Sequence, residues 1–189
     1  MALTFNHQTN EISNNGVITV GGVAVGGDNS PKWYGSRAVM MAGNLPASAS
    51  ASNTIDYVTV DTTGDATDFG DLVVARTSPA STSNGTRGVC AAGTDSYSNA
   101  IDYITIATTG NATDFGDVTV GRSALAAASN GTLGIFSGGY AVSGRQDVID
   151  TVTIATTGNA TDFGNLTVAR NALASCADST RALFAGGLD

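Results

Sequence analysis

The sequence predicts an all-β protein built from repeated sheets of short strands, and three observations carry that prediction. Charged residues are scarce, 13% of the 189-residue chain, about half the ~25% usual in soluble domains. They are also lopsided: one Glu and one Lys stand against fifteen Asp and seven Arg. Glu and Lys suit exposed helix faces, whereas Asp, Asn, Gly, Thr and Ser suit turns and caps, so an extensively helical protein is excluded. Second, three segments are near-copies: Ile55–Arg76 (IDYVTVDTTGDATDFGDLVVAR), Ile101–Arg122 (IDYITIATTGNATDFGDVTVGR) and Ile149–Arg170 (IDTVTIATTGNATDFGNLTVAR). Third, a shorter apolar element ending in glycine occurs four times, at Arg37–Gly43, Arg87–Gly93, Leu133–Gly139 and Arg181–Gly187.

Each unit reads as strands and turns. In IDYITI, Ile101, Tyr103 and Thr105 project to one side and Asp102, Ile104 and Ile106 to the other, as the two-residue period of a strand requires. TTGNATDFG follows as a polar turn in which Gly110 and Asn111 tolerate positive φ. DVTVGR gives another short strand, LAAAS before Asn130 and Gly131 a weak one, and LGIFSGG a last strand. In that last strand the neighbours Ile135 and Phe136 are both apolar, so both faces are covered.

The spacing from Ile55 to Ile101 is 46 residues and from Ile101 to Ile149 is 48. About four short strands in such a period match a propeller blade, whose repeat is ~40–50 residues, better than a parallel β-solenoid, whose coils are shorter. A blade cannot bury both faces of its sheet alone, so identical units stack face to face. The expected organisation is an N-terminal arm, 1–36, and a repeat region, 37–189, with units at about 37–86, 87–132 and 133–180 and a partial one at 181–189. About four blades are expected. The ring is closed by the N-terminal strands around Gly16–Val25 or by another chain, unless the chain is a piece of a longer protein; an open edge strand is a liability.

The unit resembles the kelch repeat, the galactose-oxidase-like branch of propellers: a hydrophobic strand ending in a Gly doublet, an aromatic, a Tyr-bearing strand, a turn and a Trp. Gly138-Gly139-Tyr140 and Gly186-Gly187 supply the doublet, Ala42-Gly43 and Ala92-Gly93 weaker versions, so Gly43, Gly93, Gly139 and Gly187 mark the same place. Tyr57 and Tyr103 fit the tyrosine, with Thr151 a departure. Phe69, Phe115 and Phe163 stand where the Trp belongs, and Arg76, Arg122 and Arg170 close each unit. The full wording of the repeat is similar to repeats in marine bacteriophage proteins, cyanophages especially, and MALTFNHQTNEIS resembles the N-termini of tail-fibre and appendage proteins. That resemblance implies a virion structural protein, assembled in the host cytoplasm, with an N-terminal attachment piece and outward repeats. Its implied partners are other virion proteins, further copies of itself and host surface glycans. A carbohydrate-binding propeller module and a capsid decoration protein are the alternatives.

Residue chemistry gives no enzyme. The single histidine, His7, lies outside the repeats, so a His-based triad must recruit it from afar, a His-rich metal site is excluded, and the copper chemistry of galactose oxidase does not carry over. Asp61, Asp65, Asp68 and Asp71 invite a Ca²⁺ reading, but the EF-hand spacing is missing and Asn111 and Asn159 replace Asp65, so turn capping is expected and no cofactor. Asp68, Asp114 and Asp162 recur alongside Arg76, Arg122 and Arg170 and are expected to form Asp–Arg pairs between units; a sugar-binding role is the sharper alternative. Trp33, Tyr34 and Tyr140 are candidate glycan contacts. Asn84, Asn111, Asn130, Asn159 and Asn165 fit the glycosylation pattern but read as turn residues. Cys90 reads as a buried thiol and Cys176 as a loop thiol. A net charge of −8 argues against nucleic acid, and no run approaches the ~18 apolar residues of a membrane helix.

Overall fold

The computed structural model describes residues 4–6, 11–13, 18–20, 23–25, 36–45, 50–93 and 97–189. Every regular element among them is a strand, and every pairing between strands is antiparallel. The all-β class follows from the sequence as expected. The chain divides into two units, Met1–Lys32 and Trp33–Asp189. The first contains two hairpins, β1 (Thr4–Asn6) with β2 (Glu11–Ser13) and β3 (Ile18–Val20) with β4 (Val23–Val25).

The second unit opens with a three-stranded sheet of β5 (Arg37–Leu45), β6 (Ser50–Thr59) and β7 (Thr67–Arg76), in that order. A four-stranded sheet follows, made of β8 (Ala80–Ser83), β9 (Arg87–Ala91), β10 (Ala100–Thr105) and β11 (Thr113–Asp117). The next has the same order: β12 (Ala126–Ser129), β13 (Leu133–Ser137), β16 (Val148–Thr153) and β17 (Thr161–Asn165). Between β13 and β16 a small hairpin, β14 (Tyr140–Ala141) with β15 (Gly144–Arg145), is inserted, which makes this repeat two residues longer than the one before. The last pair, β18 (Ala174–Ala177) and β19 (Ala182–Ala185), repeats only the first half of that pattern. The described residues form no closed ring of sheets.

The sheets are offset by one strand from the sequence units. Ala80–Ser83, at the end of the first unit, pairs with Arg87–Ala91, at the start of the second. The reason lies in the turn: Asn84 Oδ1 accepts the amides of Thr86 and Arg87 at 3.0 and 2.8 Å, closing a tight hairpin between them. Asn130 does the same for Thr132 and Leu133. The fourth strand of each full sheet also begins earlier than the sequence suggests. It runs over Thr113–Asp117 and Thr161–Asn165, so TDFG is strand rather than turn, and the residues after Asp117 bend away.

The small-residue strands β8, β12 and β18 lie side by side. Alanines and serines permit that approach, and the backbone ties it: Ala124 N–H donates to Ser78 O at 2.9 Å and Ala172 N–H to Ala124 O at 2.8 Å. Ser78, Ala124 and Ala172 are repeat equivalents, and all three hold positive φ, 51°, 53° and 56°. A non-glycine residue there costs about 1–2 kcal/mol, and the inter-repeat hydrogen bond offsets that cost. The core lies between the sheets. One cluster holds Phe115, Val118, Phe136, Val152 and Ile154, another Ile55, Phe69, Leu72, Cys90 and Ile104. Burying each such side chain contributes about 1.5–3 kcal/mol, so the contact between sheets, not strand propensity, holds the stack together.

Candidate functional site

The recurring polar feature of the structure is the joint between consecutive repeats. Arg76, at the end of β7, is fully buried and pairs with Asp102 of β10, whose side chain is 1% exposed. The Arg76 guanidinium also donates from Nη1 to Ala100 O at 2.8 Å, and Asp102 Oδ2 accepts the Val73 amide at 3.2 Å. One repeat further on, Arg122 pairs with Asp150 at 2.9 Å with both side chains fully buried. Thr119 adds its hydroxyl to Asp150 Oδ1 at 2.6 Å. Removing two charges from water is costly, and only a partner plus further hydrogen bonds makes such burial tolerable. Burial pushes the Asp102 carboxyl above its ordinary range, against the pull of Arg76, and draws the Arg122 guanidinium down, against the pull of Asp150.

The expected pairing is therefore corrected. Inter-unit Asp–Arg pairs exist, but their aspartates are Asp102 and Asp150, not Asp114 and Asp162. Asp68, Asp114 and Asp162 are exposed and stand in register opposite Asp56, Asp102 and Asp150 on the neighbouring strand. A bulge at each crossing, between Ile55 and Asp56, Ile101 and Asp102, and Ile149 and Asp150, breaks the regular ladder there. The signal was present in the sequence: Asp102 shares a strand face with Ile104 and Ile106, and an aspartate on an apolar face needs a counter-charge.

A second contact seals each joint. The Gly110 amide donates to Phe69 O and the Gly158 amide to Phe115 O, both at 2.7 Å. Asn111 Oδ1 accepts the Asp71 amide at 3.0 Å and Asn159 Oδ1 the Asp117 amide at 3.1 Å. These asparagines thus cap the preceding repeat rather than their own turn. A Cβ on Gly116 would lie 2.5 Å from Gly158 O, and φ is 143° there, so only glycine permits the approach. Gly93 and Gly139 lie two residues beyond β9 and β13, and their amides donate to Arg122 O at 2.8 Å and Arg170 O at 2.9 Å. Gly43 lies within the equivalent strand β5, at a register shift, and Gly187 follows β19.

Aromatic stacking varies between repeats in step with the sequence. The Arg37 guanidinium lies 4.7 Å from the Tyr57 ring, and Tyr57 meets Phe69 edge-on at 5.9 Å. Arg87, Tyr103 and Phe115 repeat the arrangement at 4.2 and 6.0 Å. In the third repeat Leu133 and Thr151 replace the Arg and the Tyr together. The departure at Thr151 is thereby accounted for, because the stack is lost as a pair.

At the far end the same positions are bare. Phe69 and Phe115 are each 2% exposed, but Phe163 is 62% exposed and Leu183 61%. They border an open groove of about 360 Å³, shared with Ile135, Ile149, Asp178 and Arg181. Arg170 is half-buried, donates from Nη2 to Phe184 O at 3.1 Å, and leaves its buried Nε without a partner. The Asp178 carboxylate accepts the Thr180 and Arg181 amides, which holds its pKa below the ordinary value.

Of the candidate glycan contacts, Trp33 and Tyr34 lie outside the described residues, as does His7. Tyr140 is 39% exposed, its ring 6.2 Å from that of Tyr97. Asp61, Asp65, Asp68 and Asp71 are all exposed, and among the described residues no three His, Cys, Asp or Glu side chains gather to hold a metal ion. Cys90 is buried, which raises its thiol pKa, and Cys176 is exposed on β18; both are free. No helix among the described residues is long and apolar enough to cross a membrane. No protein-family model matches the chain, and no curated protein matches it.

Proposed function

We propose that this chain is a structural component of a bacteriophage virion, a tail-fibre or appendage subunit that mediates assembly and host contact. In this reading the sheets are blades of a kelch-like propeller of about four blades, closed by the N-terminal strands or by another chain. Residues 1–36 attach to the particle, and the repeats face outward as a homo-oligomer assembled in the host cytoplasm. The chain carries out no catalysis and needs no cofactor; its partners are other virion proteins and a host surface glycan.

The single observation that carries the reading is the repeat itself. Its wording resembles that of repeats in marine bacteriophage proteins, and consecutive copies are joined by a buried ion pair with one partner in each. A module of that design stacks rather than acts on a small substrate. The blade reading is supported by the shared strand order of the two full sheets and the adjacency of β8, β12 and β18. Mass spectrometry of purified particles tests the assignment: the chain is expected at stoichiometric levels in intact virions, and its absence from them refutes the proposal.

Tyr140 beside Tyr97 favours a second reading, a carbohydrate-binding module, since aromatic faces with a polar rim suit sugar rings. Glycan-array binding lost on Tyr140→Ala supports it, and no binding at high protein concentration counts against it. A capsid decoration protein differs from the main proposal only in position on the particle.

A further inference from the structure

We propose that the exposed end of the third repeat is a docking site for the first repeat of a second copy of this chain, with Asp56 pairing Arg170 and Asp65 facing Asn165. The proposal deepens the homo-oligomer named above and takes the chain's assembling role from it. The argument itself runs from the joints already described.

Each inner joint uses five matched features. An Arg at the end of one repeat pairs with the Asp of the next IDY strand. A Phe is covered by the next repeat's apolar strand: Phe115 packs with Val152, Ile154 and Ala160, and Phe69 with Ile104, Ile106 and Ala112. The Phe carbonyl accepts a glycine amide from the TTG turn. The glycine after the Phe approaches that turn closely, and the amide two residues after the Phe is capped by the turn's Asn.

The two ends of the repeat array carry the unmatched halves of the same set. At one end stand Phe163, 62% exposed, Gly164 with nothing within 4 Å of its Cβ direction, Asn165, and Arg170 without an ion pair among the described residues. At the other stand Asp56, Val58, Val60, Gly64, Asp65 and Ala66, the counterparts of Asp150, Val152, Ile154, Gly158, Asn159 and Ala160. Val60 is 66% exposed and Gly64 likewise has nothing within 4 Å. The two ends therefore do not cover each other within one chain.

Charge identifies the occupant as the first repeat rather than another. At both inner joints the backbone amide of an Asp on the Phe side donates to an Asn side chain on the turn side, Asp71 to Asn111 and Asp117 to Asn159, so the two positions are neighbours across the joint. The remaining two positions are exchanged: Asn165 on the Phe side and Asp65 on the turn side. Asp65 set against an aspartate would bring two carboxylates together, which is unfavourable. Set against Asn165 it restores one carboxylate and one amide. The strands agree, because Arg181 of the last pair corresponds to Arg37 and so calls for a tyrosine-bearing strand beside it, such as the one carrying Tyr57.

β19 is the counterpart of β5, which already pairs with β6, so in the proposed joint both compete for the same place beside β6. One of them gives way in the joint, so association involves a strand exchange and is slow. The contact is head-to-tail, and closure yields a ring while non-closure yields a fibre.

The test is complementation between two charge-reversed full-length chains, followed by analytical ultracentrifugation. Asp56→Arg alone and Arg170→Asp alone are each expected to associate at least ~10-fold more weakly than the wild type, which forms multiples of the chain mass. Refolded together, the two variants are expected to assemble again, because each supplies the charge the other lacks. Circular dichroism of each variant confirms that its sheets fold. A monomeric wild type, single variants that assemble like the wild type, or a mixture that stays monomeric overturns the proposal. A chain carrying both Asp56→Arg and Arg170→Asp that folds as a stable monomer while the mixture does not assemble shows closure within one chain instead, which also overturns it. None of these outcomes alters the particle mass-spectrometry result, so the virion reading stands or falls separately.

Discussion

Phe115 and Phe163 occupy the same place in the same sequence, TDFG, yet one is 2% exposed and the other 62%. Arg122 and Arg170 show the same contrast: the first is fully buried against Asp150, the second is half-buried and has no ion pair among the described residues. Nothing in either repeat's own strands accounts for the difference. What differs is the neighbour, since Val152, Ile154, Ala160 and Asp150 of the following repeat cover the inner position. Burial in this fold is a property of the joint rather than of the unit, as expected of an array whose stability is divided between weak units and strong interfaces.

The contrast can be broken most forcefully at the buried ion pair. Arg122→Ala leaves the Asp150 carboxylate buried and uncompensated, and is expected to cost about 3–5 kcal/mol in denaturant unfolding. Arg170→Ala, measured in dilute monomeric protein, is expected to cost much less. A loss of similar order is expected for Phe115→Ala, about 3–5 kcal/mol, whereas Phe163→Ala in the same dilute protein stays within ~0.5 kcal/mol, as for surface sites. Equal losses for the two phenylalanines would remove the distinction between inner and end positions. Smaller again is the glycine pair. Gly116→Ala drives a Cβ against Gly158 O and is expected to cost about 1–3 kcal/mol more than Gly164→Ala, which shares the backbone strain but meets nothing. Comparison of their melting curves reads the difference.

The smallest effect concerns Asp178, at the turn equivalent to those of Asn84 and Asn130. Its folded pKa is lowered by the Thr180 and Arg181 amides. The stabilisation it gives is therefore present above the unfolded carboxyl value and is lost as pH falls through the lower folded one. A carboxyl-resolved NMR titration should place Asp178 below an ordinary aspartate, and Asp178→Asn should remove that titration while leaving the turn intact. A midpoint at the ordinary value would mean that the turn does not form.

Much of the local structure was legible in the sequence, because alternation and turn chemistry act within a few residues. The IDY strand, the Asn84 and Asn130 turns and the small-residue strand at Ala126–Ser129 all follow from neighbouring side chains. The partners across the joint were less accessible. The aspartate that meets Arg76 is 26 residues away in the next repeat, whereas recurrence beside the arginines points to the aspartates of the TDFG segments. β11 starts earlier than its own residues suggest for the same reason: the TDFG backbone is held by the next repeat's turn, through Gly158 and Asn159. Repetition reveals that a unit exists and what its strands are. It hides which copy supplies each contact, since every copy carries the same residues. Only the deviations, Thr151 with Leu133 and Asp65 with Asn165, tell the copies apart.

The central claim, that order in this array comes from the joint between consecutive repeats rather than from the single unit, is tested most directly by amide hydrogen exchange of three equivalent glycines in dilute monomeric protein. Gly110 and Gly158 donate to Phe69 O and Phe115 O in the preceding repeat, while Gly64 has no repeat before it to meet. Slow exchange at Gly110 and Gly158 with fast exchange at Gly64 is the predicted result. Equal protection at all three would show that the turn is ordered within its own unit and would contradict the account.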